Sequence, residues 1–344
     1  MDERDSGEAA NVPEVDADRC VLSRVVAASC RACIDACPRG AFIDGDEALV
    51  LDTEACDGCA ICTAACPQGA IVMDRPAVAV SSNDGIAAFA ACREAVTSAG
   101  RGVMPCLHAI GVDELAGLAA RGVRHLVLAH ADCAACKPAL HGGPIDQGIA
   151  DVQRLLADRG KEPMQVTRLA APQWRQQRDE AMVPSRRGFL LGRVAVRPQA
   201  AGPQDHRVRA GLALPASGAK APVQPFVPSI DSTRCTACDA CARICPEAAI
   251  RLEADNDTAA YVIEPARCSG CKLCLDVCDQ EAVRIDRWGY QDSVRLHLDT
   301  RRCASCGNAY RELDGSDAGQ RLCRICAATR PNQHLFQVIK DGIQ

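Results

Sequence analysis

The run Cys56-Asp57-Gly58-Cys59-Ala60-Ile61-Cys62-Thr63-Ala64-Ala65-Cys66-Pro67 constrains this chain more than any other feature, because it spaces its cysteines C-x2-C-x2-C-x3-C-P. Three closely spaced thiolates on a tight loop can grip three iron corners of one cubane. The fourth, on a short helix pointing away, serves the other cluster of a pair, so such runs come in twos. Cys235, Cys238, Cys241, Cys245 and Pro246 repeat the pattern, as do Cys268, Cys271, Cys274 and Cys278, while Cys20, Cys30, Cys33, Cys37 and Pro38 form a variant. Four runs imply two double-cluster modules.

Twenty-four cysteines in 344 residues would also suit a secreted disulfide scaffold. The opening MDERDSGEAANVPEV is acidic and polar, with no apolar segment of signal-peptide type, so bound metal and a cytoplasmic setting are the expectation. Aromatic residues amount to 3%, too few to build cores alone, and metal is expected to supply much of the folding free energy. No stretch reaches the roughly 18–20 apolar residues of a membrane-spanning helix. A net charge of −5 argues against nucleic acid, whose phosphates need a basic face, and suits a carrier that docks on basic patches of redox partner proteins.

Residues 1–18 read as a mobile acidic tail and 19–75 as the first double-cluster domain. In the variant run Ala27 stands where a first cysteine would lie, and Cys20 is taken as the displaced ligand. The alternative is a free buried thiol beside a three-cysteine site. The expected 4Fe-4S sets are Cys20, Cys30, Cys33 and Cys66 for one cluster, and Cys37, Cys56, Cys59 and Cys62 for the other. Pro38-Arg39-Gly40-Ala41-Phe42 and Pro67-Gln68-Gly69-Ala70-Ile71 make a pseudo-twofold repeat. On these motifs, residues 20–75 resemble the bacterial double-cluster ferredoxins.

Residues 76–170 alternate apolar strands with amphipathic stretches and predict a small parallel α/β domain covered on both faces. Strands are expected at 77–80, 102–105, 123–131 and 164–169, and helices at 84–99, over VDELAGLAA and at 145–160. Cys106, Cys133 and Cys136 fall just past strand ends, where open parallel sheets place ligands, with His108, His130 and Asp132 nearby. Cys92 reads as an inert core thiol on the buried stripe of the 84–99 helix. The stretch from Val103 to Lys137 resembles the small iron-sulfur subunit joining hydrogenases to heterodisulfide reductase. That resemblance implies a 2Fe-2S cluster held by Cys92, Cys106, Cys133 and Cys136, although Ser81-Ser82-Asn83 stands where the family has a cysteine pair. A dithiol–disulfide pair at Cys133 and Cys136, or purely structural thiols, are the other readings.

Residues 171–230 carry scattered prolines and read as a linker. Within it, Ser185-Arg186-Arg187-Gly188-Phe189-Leu190 looks like the core of a twin-arginine export signal, but lies far from the N-terminus; docking segment and plain amphipathic packing are both open.

Residues 231–290 form the second double-cluster domain, with Cys235, Cys238, Cys241 and Cys278 for a third 4Fe-4S cluster and Cys245, Cys268, Cys271 and Cys274 for a fourth. Asp279 replaces the usual proline. Over 291–344, Cys303-x2-Cys306 and Cys323-x2-Cys326, 16 residues apart, fit a zinc-ribbon-like element with one Zn, strands near Arg295–Leu298 and Phe336–Ile339 flanking it; rubredoxin-type iron is the rival. The fold class is therefore α+β and α/β, multidomain. No Walker sequence, dinucleotide fingerprint or nucleophile–base pair is present, which points to an electron carrier rather than a self-contained enzyme. Its partners are expected among subunits of hydrogenase, heterodisulfide reductase or formate dehydrogenase-type complexes. An assembly factor for a molybdenum or tungsten enzyme and a thiol–disulfide reductase are the alternatives.

Overall fold

The computed structural model describes residues 12–45, 49–74, 78–81, 86–98, 100–136, 144–182, 209–215, 221–255, 258–313 and 322–329. The first module runs through β1 (Glu14–Val15), α1 (Val21–Arg24), α2 (Ala32–Ala36), β2 (Phe42–Asp44), β3 (Leu49–Leu51), α3 (Ile61–Ala65) and β4 (Ile71–Val72). Helices α2 and α3 stop after five residues for a local reason. Cys37 and Cys66 each precede a proline, which disfavours helical backbone, and both are extended, at ψ 112° and 115°. Strand β1 pairs antiparallel with β4, and β2 with β3. Glu14 and Val15 thus belong to a sheet, which corrects the expectation of a tail reaching residue 18.

The middle module contains β5 (Ala79–Ser81), β6 (Ala87–Cys92), β7 (Val103–Met104), α4 (Val112–Ala120), β8 (His125–Ala129), α5 (Pro144–Asp158), β9 (Gln165–Arg168) and α6 (Ala171–Met182). The sheet order is β5-β6-β8-β9, with β7 on the end of β6. All pairings are parallel except β5 with β6, so the sheet is mixed rather than wholly parallel. Leu115 and Leu118 of α4 and Leu155 and Leu156 of α5 bury one face together with Leu126 and Leu128. Phe89, Val127 and Trp174 fill the other, where the Trp174 indole donates to the Val127 carbonyl at 3.0 Å.

Two expectations fail here. The helix placed over 84–99 is strand β6 followed by a turn, because that segment pairs on both sides and is buried on both faces. Residues 171–182, assigned to the linker, form α6, with Pro172 tolerated in its first turn and Trp174 as anchor. The 185–190 segment lies outside the described residues.

The remaining strands are β10 (Val223–Ile230), β11 (Ile250–Ala254), β12 (Ala259–Ile263), β13 (Val283–Tyr290), β14 (Val294–Arg302) and β15 (Ala309–Leu313). Strand β10 also falls in the supposed linker, and its prolines are compatible with a two-stranded pairing to β13. The order β11-β12-β14-β15 forms one antiparallel sheet around the fully buried Tyr261. Hence the hairpin that follows Cys245 and the hairpin that bears Cys303 are one hydrogen-bonded body. Phe336–Ile339 lies outside the described residues, and β15 flanks the Cys303 knuckle instead.

The modules touch. Arg209 pairs with Asp113 of α4 at 3.4 Å and with Glu247 beside Cys245 at 2.5 Å. Gln68 Nε2 donates to Ser269 Oγ at 2.7 Å, and Ser29 Oγ donates to Asp276 at 2.7 Å. Among the described residues no helix is long and apolar enough to cross a membrane.

Candidate metal centres

Tight cysteine loops need backbone that ordinary residues avoid. In the regular runs the residue after the second cysteine is left-handed: Ala60 at φ 64°, Asp239 at 63° and Lys272 at 66°. The residue before it is too, at Gly58, Ala237 and Gly270. Gly270 is doubly fixed, since an added Cβ would fall 2.4 Å from the Phe226 ring. Three residues after each fourth cysteine the chain is again left-handed, at Gly40, Gly69, Ala248 and Glu281. These reversals turn four amides onto four sulfurs: Ala41 N–H donates to Cys37 Sγ at 3.4 Å, and Ala70, Ala249 and Ala282 donate to Cys66, Cys245 and Cys278 at 3.2 Å each.

The sulfurs gather as four sets. Burial pushes the Cys33 thiol up to about 12, helped by Cys66, Cys30 and Cys20 around it; this is set I. Cys62 is raised to about 12 by burial and then by Cys59, Cys37 and Cys56, set II. Cys241 rises to about 12 through burial and Cys235, Cys238 and Cys278, set III. Cys274 is raised by burial and by Cys268, Cys271 and Cys245, set IV. Packing neutral thiols this densely in a buried place is unfavourable for their anions unless cations join them. The N–H donors and reversed loops fit a group that takes thiolate ligands.

The variant run is built differently. Arg31, the residue after Cys30, sits at φ −122°, not left-handed. Cys20 instead arrives from the start of α1, held by Asp16 N–H on the Ala70 carbonyl at 2.8 Å and by Arg19 on the Gln68 carbonyl at 2.9 Å. It is buried, with 7% exposure.

In the middle module Cys92, Cys106, Cys133 and Cys136 line one cavity of about 510 Å³, which also reaches Cys59 of set II. Cys92 is therefore no helix-stripe thiol; it ends β6, and its sulfur accepts the Ala131 amide at 3.4 Å. Burial raises Cys106 to about 11, and Cys92, Cys133 and Cys136 add to it. His108 also lines the cavity. Its Nδ1 accepts the Ile145 amide at 3.3 Å, while its buried Nε2 has no hydrogen-bond partner among the described residues.

Cys303 and Cys306 sit on the β14–β15 turn and Cys323 and Cys326 on the segment that returns to it. Among the described residues this is the group of thiols whose sulfurs all lie within 4.8 Å of one another, with Cys306 and Cys323 3.8 Å apart. Amides of Cys306 and Cys323 lower the Cys303 thiol from its ordinary value, favouring its thiolate form.

Residues 28–71 and residues 234–282 each match the family model of a 4Fe-4S dicluster domain. The chain carries two 4Fe-4S dicluster domains. No curated protein matches it. Both dicluster domains lie where the regular runs predict, and the chain is an iron-sulfur electron-transfer protein of mixed α/β, multidomain architecture. Cys20 falls outside the matched residues. What the runs could not reveal are the residues that steady them. Asp239, inside the Cys238–Cys241 loop, accepts the Tyr261 hydroxyl at 2.6 Å and faces Arg311 at 3.4 Å, a pairing visible only once β12 and β15 are in place.

Proposed function

We propose that sets I to IV hold four 4Fe-4S clusters and that the chain passes single electrons within a cytoplasmic oxidoreductase system. The observation that carries this reading is the gathering of sixteen buried or half-buried thiols into four sets, inside or beside two dicluster domains. When bound, the clusters supply one-electron chemistry; the chain's part is to hold the sulfurs, donate amides to them and keep water out. Partners are redox proteins of hydrogenase, heterodisulfide reductase or formate dehydrogenase type, a choice supported only by the Val103–Lys137 resemblance. No nucleic-acid surface enters this reading.

The Cys303, Cys306, Cys323, Cys326 group takes one Zn. An S···S distance of 3.8 Å suits the edge of a tetrahedron with bonds of about 2.3 Å. The cavity thiols Cys92, Cys106, Cys133 and Cys136 take a 2Fe-2S cluster, next to set II through Cys59. A second reading, thiol or disulfide reduction at Cys106, Cys133 and Cys136, is favoured by the open cavity itself. The assembly-factor reading rests on residues 185–190.

Iron, sulfide and zinc content with low-temperature EPR on anaerobically purified protein tests all of this. About sixteen iron and one zinc is expected from the dicluster sets and the knuckle, and about eighteen iron if the cavity is filled. A folded, colourless, iron-free protein would overturn it.

A further inference from the structure

Resting on that reading, we propose that the two dicluster domains form one electron conduit. Its internal junction is the contact of Gln68 with Ser269, so the sites follow in space as cavity, set II, set I, set IV, set III. That is not their order in the chain.

The argument starts from where the contacts fall. Gln68 stands two residues after Cys66 of set I, and Ser269 stands between Cys268 and Cys271 of set IV. Their 2.7 Å hydrogen bond is buried, each residue being 7% exposed. A second contact joins the two domains: Ser29, adjacent to Cys30 of set I, donates its hydroxyl to Asp276 Oδ1 at 2.7 Å and its amide to Oδ2 at 3.0 Å, Asp276 standing midway between Cys274 of set IV and Cys278 of set III. The two loops meet directly at these hydrogen bonds. Among the described residues no such hydrogen bond joins the loops of set II to those of set III.

The other end of the first domain faces elsewhere. Helix α3, between Cys62 and Cys66, packs on the Leu107–Ala109 turn, and a Cβ at Gly111 would lie 3.3 Å from Ala64. Cys59 opens into the cavity that Cys106 lines. The far end of the second domain is tied through Asp239, Tyr261 and Arg311 to the sheet that carries the four-thiol knuckle. Inside the first domain the crossover cysteine closes the remaining gap, since Cys62 on α3 and Cys66 just past its end serve sets II and I.

With clusters bound, the residues of sets I and IV would hold the two sites between which one electron would pass, one site losing what the other gains, while Gln68 and Ser269 fix the spacing between their loops. No bond forms or breaks and no proton moves. The rival arrangement is two independent carriers on one tether, each serving its own partner.

The test uses the full chain, purified anaerobically and reduced with dithionite, a one-electron donor in this use. Pulsed EPR reads spin relaxation at the set I site as the second domain becomes reduced, and metal analysis is run on every sample. Wild type is expected to show relaxation enhanced across the domains. The doubly substituted Gln68→Glu, Ser269→Glu protein opposes two carboxylates at the junction and is expected to lose that enhancement at unchanged iron content. Full iron with no cross-domain enhancement in wild type overturns the junction alone. So does enhancement that survives the double substitution. A protein without iron removes the cluster reading and the conduit with it.

Discussion

The two dicluster domains reach similar ends by unequal means. In the second, every cysteine triplet sits on a loop with paired left-handed residues, backed by β10 and β13, eight residues each. In the first, set II has the same loop, but set I has Arg31 in place of the left-handed residue and borrows Cys20 from beyond the run. Strands there are two or three residues long. Where the run is regular, local backbone chemistry arranges the sulfurs. Where it is not, tertiary contacts such as β1 on β4 and Arg19 on Gln68 must deliver the missing one. Local rules are cheap to satisfy early in folding; delivered ligands depend on the rest of the domain being in place.

The strongest way to break this contrast is to remove one sulfur from each. Cys235→Ser should strip the set III site, a loss of about four iron read by metal analysis. Cys20→Ser should leave the first domain with a converted three-iron site, visible as a new EPR signal in the oxidised protein. Equal losses at both positions would mean that the displaced ligand is no different from a regular one. Arg19→Ala sharpens the point without touching sulfur. Losing its charged hydrogen bond should cost about 1–3 kcal/mol of local stability and lower iron occupancy at set I while sparing set III. Tyr261→Phe is the matching lesion in the second domain. It leaves Asp239 short of a donor, for about 1–2 kcal/mol in urea unfolding, with iron content retained because the loop backbone still holds the sulfurs.

The smallest effect lies in the cavity. Burial keeps the His108 imidazole below its usual 6.5, with Asp146 opposing and His130 adding to the shift. The unfolded chain therefore takes up a proton that the folded one resists, so this contribution to stability is full above pH 6.5 and is lost as pH falls through the lowered folded value. Melting of wild type should decline from about pH 7 to about pH 5 more steeply than that of His108→Gln. Parallel curves would remove His108 from the account.

Much of this was legible in the chain. Fixed cysteine spacing encodes loop closure, so the runs, their pairing and the knuckle could be read directly. Helices α4 and α5 followed from their apolar stripes. Strand β6 did not, because Ala87, Ala88, Ala90 and Ala91 are strong helix formers whose state is decided by the strands on either side. Helix α6 and strand β10 were hidden by Pro172, Pro225 and Pro228, each of which occupies a place where its missing amide costs nothing or little. The cavity was half visible: strand-end placement flagged Cys106, Cys133 and Cys136 and the family resemblance added Cys92, while the misread strand hid that Cys92 stands at the end of β6. Contacts such as Gln68 with Ser269 leave no periodic trace at all.

Because β12 and β14 are neighbours in one sheet, the terminal knuckle and the Asp239 loop share a scaffold. If the knuckle holds an ion as proposed, its removal is expected to fray β14 and β15 at their tip and so to loosen the Arg311 contact with Asp239.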